Sequence, residues 1–186
     1  MMGVNWAHGL MRWQPHKSDA GESYGLSHVH PFRFDVALPE HQGKPARTVS
    51  IEVGFSMHVF TVDIKDAGAD PEIYADHRER RAFDLGRYEW SKYLKEIIRG
   101  IEGRKCFFAK RESFLTLKLD GVPAGHEYRV FFTMRRKGAD CVQMTVQSAY
   151  LACARLSPRG QKRQPIGFRV ILSNSLEGKV CVRPPS

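Results

Sequence analysis

Between Arg104 and Tyr150 the chain carries four apolar-alternating runs separated by short polar turns: Lys105–Lys110, Phe114–Leu119, Glu127–Met134 and Cys141–Ser148. Alternation with period two sends successive side chains to opposite faces of a strand. In the third run Tyr128, Val130, Phe132 and Met134 face one way, and Arg129, Phe131, Thr133 and Arg135 the other. In the fourth, Val142, Met144 and Val146 oppose Gln143, Thr145 and Gln147. Turns this short join antiparallel neighbours, so an antiparallel sheet is the frame into which the rest of the chain must fit. One face of that sheet has to be buried.

Upstream, residues 1–30 show no periodicity and read as a flexible N-terminal arm ahead of a single α+β domain, 31–186. Phe32 to Leu38 alternates strictly, and Thr48 to Thr61 alternates again, with Ile51, Val53, Phe55, Met57 and Val59 on one side and Glu52, Ser56, His58 and Phe60 on the other. These two runs are expected to form an antiparallel hairpin. A charged connector, Tyr74 to Asp84, comes next. Leu94, Ile97, Ile98 and Ile101 then recur at helical spacing, with Asp84 as a capping residue and Gly103 as a stop, which predicts a main helix over about 87–102. Ile166 to Ser173 reads as a last strand. The expected fold is α+β: a twisted antiparallel sheet of about six to seven strands with that helix on its apolar face.

The chain of 186 residues carries net charge +9, and the charge is uneven. Residues 77–111 hold 11 Lys/Arg against 5 Asp/Glu, and residues 155–186 hold 7 against 1. Such segments suit a polyanion, with RNA expected ahead of DNA. Arg78, Arg80, Arg81, Arg87, Lys110 and Arg111 flank the helix as a candidate phosphate-tracking patch, and Tyr74, Phe83 and Tyr88 interleave with them as base stacking would require. No run is long and apolar enough to span a bilayer, and Met1 to His8 lacks the form of a secretory signal, so a cytoplasmic protein without membrane contact is expected. Cys106, Cys141, Cys153 and Cys181 are scattered without paired spacing. His28 and His30 share one side of an extended segment with no third ligand nearby. Neither set predicts a metal site, and no cofactor is expected.

If the strands form one sheet, its polar face gathers Glu52, His58, Lys118, Arg129 and Arg135. Cleavage of RNA through the 2′-hydroxyl needs a proton acceptor, a proton donor and cations for the phosphate, without a metal. His58 and Glu52 are the acid/base candidates, and Arg129, Arg135 and Lys118 the phosphate grip. Two other readings use the same charges. One is a non-catalytic RNA- or DNA-binding module; the other is an interaction protein or inhibitor meeting an acidic protein partner such as an antitoxin.

One helix followed by four antiparallel strands, over about residues 85–150, resembles the barnase/RelE-type (BECR) ribonuclease fold. The segments His30–Phe34, Phe55–Thr61, Arg104–Lys110 and Val146–Tyr150 are similar to uncharacterised proteins of bacterial plasmids and phages. The resemblance implies a protein of a bacterial mobile element, with ribonuclease activity of the toxin or phage-conflict type.

Overall fold

The computed structural model describes residues 11–41, 43–108, 113–117, 122–153 and 165–179, with the backbone alone at 108 and 113–117. In chain order the elements are β1 (His16–Lys17), β2 (Ser23–Tyr24), β3 (Phe32–Leu38), β4 (Arg47–Phe55), β5 (Thr61–Val62), β6 (Ile73–Ala75), β7 (Arg80–Phe83), α1 (Leu85–Ser91), α2 (Leu94–Arg99), β8 (Lys105–Phe108), β9 (Ser113–Leu117), β10 (His126–Gly138), β11 (Cys141–Cys153), β12 (Pro165–Gly167) and α3 (Phe168–Leu176). Single 3-10 turns stand at Ser27–Val29, Met57–Val59, Ile64–Asp66 and Ile101–Gly103. The α+β class is as expected. No described helix is long and apolar enough to cross a membrane.

Seven strands form the main sheet in the order β12-β8-β9-β10-β11-β4-β3. The expected hairpin is present, running from Phe32 opposite Val53 to Leu38 opposite Arg47. It joins the four-strand meander through one parallel pairing, β4 beside β11 from Ser50–Cys141 to Phe55–Val146. The sheet is therefore mixed rather than wholly antiparallel. Its apolar face buries Val49, Ile51, Val53 and Phe55 from β4, Tyr128, Val130 and Phe132 from β10, and Val142, Met144 and Val146 from β11.

Three expectations need correction. The segment 166–173 is not a strand beyond Gly167, because Phe168, Ile171, Leu172, Ser175 and Leu176 are buried at helical spacing and α3 packs across β10 and β11. The β-branched Ile166, Val170 and Ile171 disguise that period. The helix expected over 87–102 begins at Leu85 and breaks after Ser91. There Lys92 and Tyr93 donate backbone bonds to Glu89 and Trp90, three residues back, and the Ser91 hydroxyl donates to the Tyr88 carbonyl at 2.7 Å. Such short-range bonds tighten and bend a helix.

The third correction concerns residues 11–30, which are built into the fold rather than forming a free arm. Trp13 is only 3% exposed, and its indole Nε1–H donates to the Phe55 carbonyl at 3.0 Å. Its ring meets Phe60 and Tyr74 edge-on. His16 is also buried, bonded to Glu72 at 2.8 Å and stacked on Phe83 at 4.2 Å. Isolated anchors of this kind follow no period, so alternation patterns miss them. Replacing Trp13 with Ala should destabilise the fold by about 3–5 kcal/mol, the usual cost of truncating a large buried aromatic. Urea unfolding of the two proteins measures it; a loss under about 1 kcal/mol would return the segment to the status of an arm.

Candidate functional site

β4 leaves the sheet at Phe55, and the turn just beyond it decides the site. Ser56 still donates its N–H to the Val146 carbonyl at 2.9 Å, but its hydroxyl caps the 3-10 turn Met57–Val59 by accepting from the His58 N–H. His58 therefore stands on a turn rather than on a strand, as the alternation of 48–61 implied. Phe60, expected on the polar side, is fully buried. The turn and α1 occupy the place beside β11 that β4 has vacated.

A second short sheet, in the order β5-β7-β6, leans on the same turn. The connection between β6 and β7 is shaped by Asp76, whose carboxylate accepts the N–H groups of Arg78 and Glu79 at 2.8 and 3.0 Å. Asp residues stabilise tight turns in this way. Those bonds hold the Asp76 carboxyl below the usual range, against the opposing effect of burial. The turn delivers Glu79 to His58: Nε2 lies 3.1 Å from both carboxylate oxygens. Arg78 is drawn back to Asp76, at 3.0 Å from Nε and 2.9 Å from Nη2.

Between this turn and the open face of the sheet lies a cleft of about 310 Å³. Gly54, Gln143, Thr145 and Gln147 form its floor, Met11 and Trp13 one wall, and His58, Arg78 and Glu79 the other. Gln147 is the extra residue of a β-bulge, skipped where Phe131 pairs with Ser148 and Phe132 with Val146. Bulges re-aim side chains beside functional sites. Here the Gln147 amide donates to Thr133 at 3.2 Å. His58 is 37% exposed at its side chain and Glu79 36%, so both are accessible from the cleft.

The expected site residues separate into groups. His58 lines the cleft. Glu52 and Arg135 stand just beyond it, in one row across four strands: Arg33, Glu52, Gln143 and Arg135. Glu52 is bonded to Lys137. Arg129 sits six residues from Arg135 along β10, about 20 Å at the usual rise per residue, and its guanidinium is held by Glu127 at 2.6 Å. Two cations so far apart cannot grip one phosphate. Lys118, Lys110 and Arg111 lie outside the described residues.

The arginines expected as a phosphate-tracking patch also divide. Arg78 and Arg80 are exposed. Arg81 turns inward, donating from Nε to the buried Thr61 hydroxyl at 2.9 Å. Arg87 donates to the His58 carbonyl at 2.8 Å and lies 5.2 Å from the Tyr150 ring centre, so it braces the turn from behind. Burial lowers its pKa from the ordinary guanidinium value, with Asp84 opposing. Glu79, Arg87 and Gln147 were not singled out in sequence as a working set. Glu79 is 21 residues from His58, and only the pairing of β5, β6 and β7 reveals their contact.

His28 and His30 are both engaged elsewhere: His28 with the Ser91 hydroxyl at 2.7 Å, and His30 with the Trp13 carbonyl at 3.0 Å. Ser91 is fully buried, and its hydroxyl also donates to the Tyr88 carbonyl at 2.7 Å. Among the described residues no three His, Cys, Asp or Glu side chains cluster as a metal would require.

The arrangement defines an α+β protein with a mixed seven-stranded sheet and a His–carboxylate cleft where β4 departs. Residues 15–176 match the model of the YjaZ family, and the chain belongs to that family. No curated protein and no solved structure matches it. The family match leaves the barnase/RelE likeness without support.

Burial, followed by the charge of Lys92, lowers the His28 pKa below its ordinary 6.5. The folded state then takes up its proton later than the unfolded state as pH falls. Stability present above about pH 6.5 should therefore decline as pH drops through that value towards the folded pKa. Urea midpoints measured from pH 8 to 5 test this, and His28→Gln should make the decline shallower.

Proposed function

We propose that this protein is directed at RNA and cleaves it, without a metal, at the His58 cleft. The observation that carries the reading is the pairing of a half-exposed imidazole with a carboxylate over a floor of amides and a hydroxyl. With Nε2–H donated to Glu79, the Nδ1 lone pair is left to act as base, and the carboxylate stabilises the imidazolium that forms. In the proposed step His58 takes the proton of a 2′-hydroxyl. The 2′-oxygen then bonds to phosphorus, the 5′-oxygen leaves, and the imidazolium returns the proton to that leaving oxygen. Arg78 and the amides of Gln143 and Gln147 would meet the charge developing on the phosphate. In this mechanism His58 serves as both base and acid, and its carboxylate partner is Glu79, whereas Glu52 takes no part.

A second reading, sequence-independent nucleic-acid binding, has its own support. The exposed cations Arg78, Arg80 and Arg135 are spread over the surface, which suits tracking a backbone better than holding one phosphate.

Purified protein incubated with total RNA in EDTA separates the two. Cleavage that falls about 10²–10⁴-fold in His58→Ala, the usual contribution of a general base, supports the mechanism. Salt-sensitive binding without turnover supports the second reading, and turnover unchanged in His58→Ala removes the first.

A further inference from the structure

β3 closes one side of the main sheet, and among the described residues its outer edge meets no strand. An open edge offers a row of backbone donors and acceptors to any chain able to pair with it. Pro31 and Pro39 bracket this one, but the seven residues between them contain no proline and no inserted residue. Val36 and Leu38 are buried, whereas Phe32 and Phe34 are only half-buried and stack on each other at 6.0 Å. Phe32 also carries Arg99 and Lys95 of α2 over its ring at 5.3 and 5.4 Å, so Phe34 is the less covered of the two. On the opposite side Arg33 and Asp35 are 63% and 59% exposed and 4.0 Å apart. Both also bond to the Ser50 hydroxyl.

We propose that two copies of this chain associate through β3, antiparallel, about a twofold axis at Phe34. In that register Phe34 faces Phe34 of the second copy, Phe32 faces its Val36, and Arg33 faces its Asp35. The twofold repeats each contact, as an isologous interface requires. Directly opposed aromatic and opposite-charge pairs are stabilising units of an antiparallel ladder. Val36 is already buried in its own copy, so the Phe34 pair and the two Arg33–Asp35 pairs carry the contact.

The neighbouring registers are penalised. Centring on Arg33 sets two arginines face to face, and centring on Asp35 sets two carboxylates face to face. Centring on Val36 leaves Arg33 against Pro39 and removes both ion pairs. Shifting by half a step turns the core side of one copy to the polar side of the other. Pro31 limits the ladder to residues 32–36, because opposite Ala37 it has no N–H to give. The net charge of +9 on each copy opposes approach, so the contact should be sensitive to ionic strength and modest in affinity.

Sedimentation of the nuclease-treated full chain at about 0.15 M salt tests the proposal, with circular dichroism confirming the fold of each variant. The wild type should show concentration-dependent dimers. Arg33→Asp and Asp35→Arg, at exposed positions, should each weaken dimerisation about tenfold or more, since each places like charges opposite one another twice. An equimolar mixture of the two variants should restore dimers, because one then carries two acids where the other carries two bases. The proposal is overturned by a wild type that stays monomeric up to about 0.3 mM, a weak-contact concentration on the usual affinity scale. It is equally overturned by single variants that dimerise like the wild type, or by a mixture that stays monomeric. None of these outcomes bears on the cleft, so this inference stands or falls apart from the RNA reading.

Discussion

The parallel pairing of β4 with β11 is the constraint from which the molecule takes its form. On one side of it β10 and β9 continue the meander; on the other β3 completes the hairpin. Because β4 stops at Phe55 while β11 runs on to Cys153, the far half of β11 is left without a neighbouring strand on that side. The 3-10 turn bearing His58, and α1 behind it, fill the space. The cleft is what remains between that filling and the sheet face. Its floor comes from β11 and Gly54 of β4, and one wall from the chain that β4 releases.

Most of this wall is held by local bonds rather than by a large core. Ser56 caps the turn, Arg87 fastens its carbonyl, and Asp76 shapes the connection that brings Glu79 across. The bonds satisfy backbone groups of the turns themselves, most of them partly buried. The inner face of the turn is tied down by Met57 and Val59, both buried. The result is a polar cleft whose supports are themselves polar, lying on the polar face of a sheet whose other face is the apolar core.

How much of this could be read from residues alone depended on the range of the signal. The β10–β11 hairpin and the β3–β4 hairpin announce themselves by alternation, and α1 by the Asp84 cap. The order in which the two strand groups join was not legible, because nothing in the pattern of Ser50 to Phe55 says which strand it will lie beside. α3 was hidden by β-branched residues that read as a strand. The site suffered most. His58 was visible as a histidine between apolar residues, but its partner Glu79 belongs to a charged stretch in which Arg78, Arg80 and Arg81 dominate the reading. A net basic segment conceals the acid that pairs with His58. Trp13 and His16 were invisible for a related reason: each is anchored by contacts far along the chain, Trp13 with Phe55, Phe60 and Tyr74 and His16 with Glu72 and Phe83.

The separation of β4 from β11 in sequence has a consequence for how the chain reaches this fold. Ser50 and Cys141 lie side by side although about 90 residues separate them. Contacts of that span are slow to form, since the entropy of closing the loop is lost before pairing begins to compensate. During synthesis the β3–β4 hairpin emerges first, apolar on one face and unpaired along β4's far edge, and it must wait for the last strand of the meander. The cleft cannot exist until that strand arrives. His58 and Glu79 gain the floor of their cleft only once the strand bearing Gln143, Thr145 and Gln147 has been made.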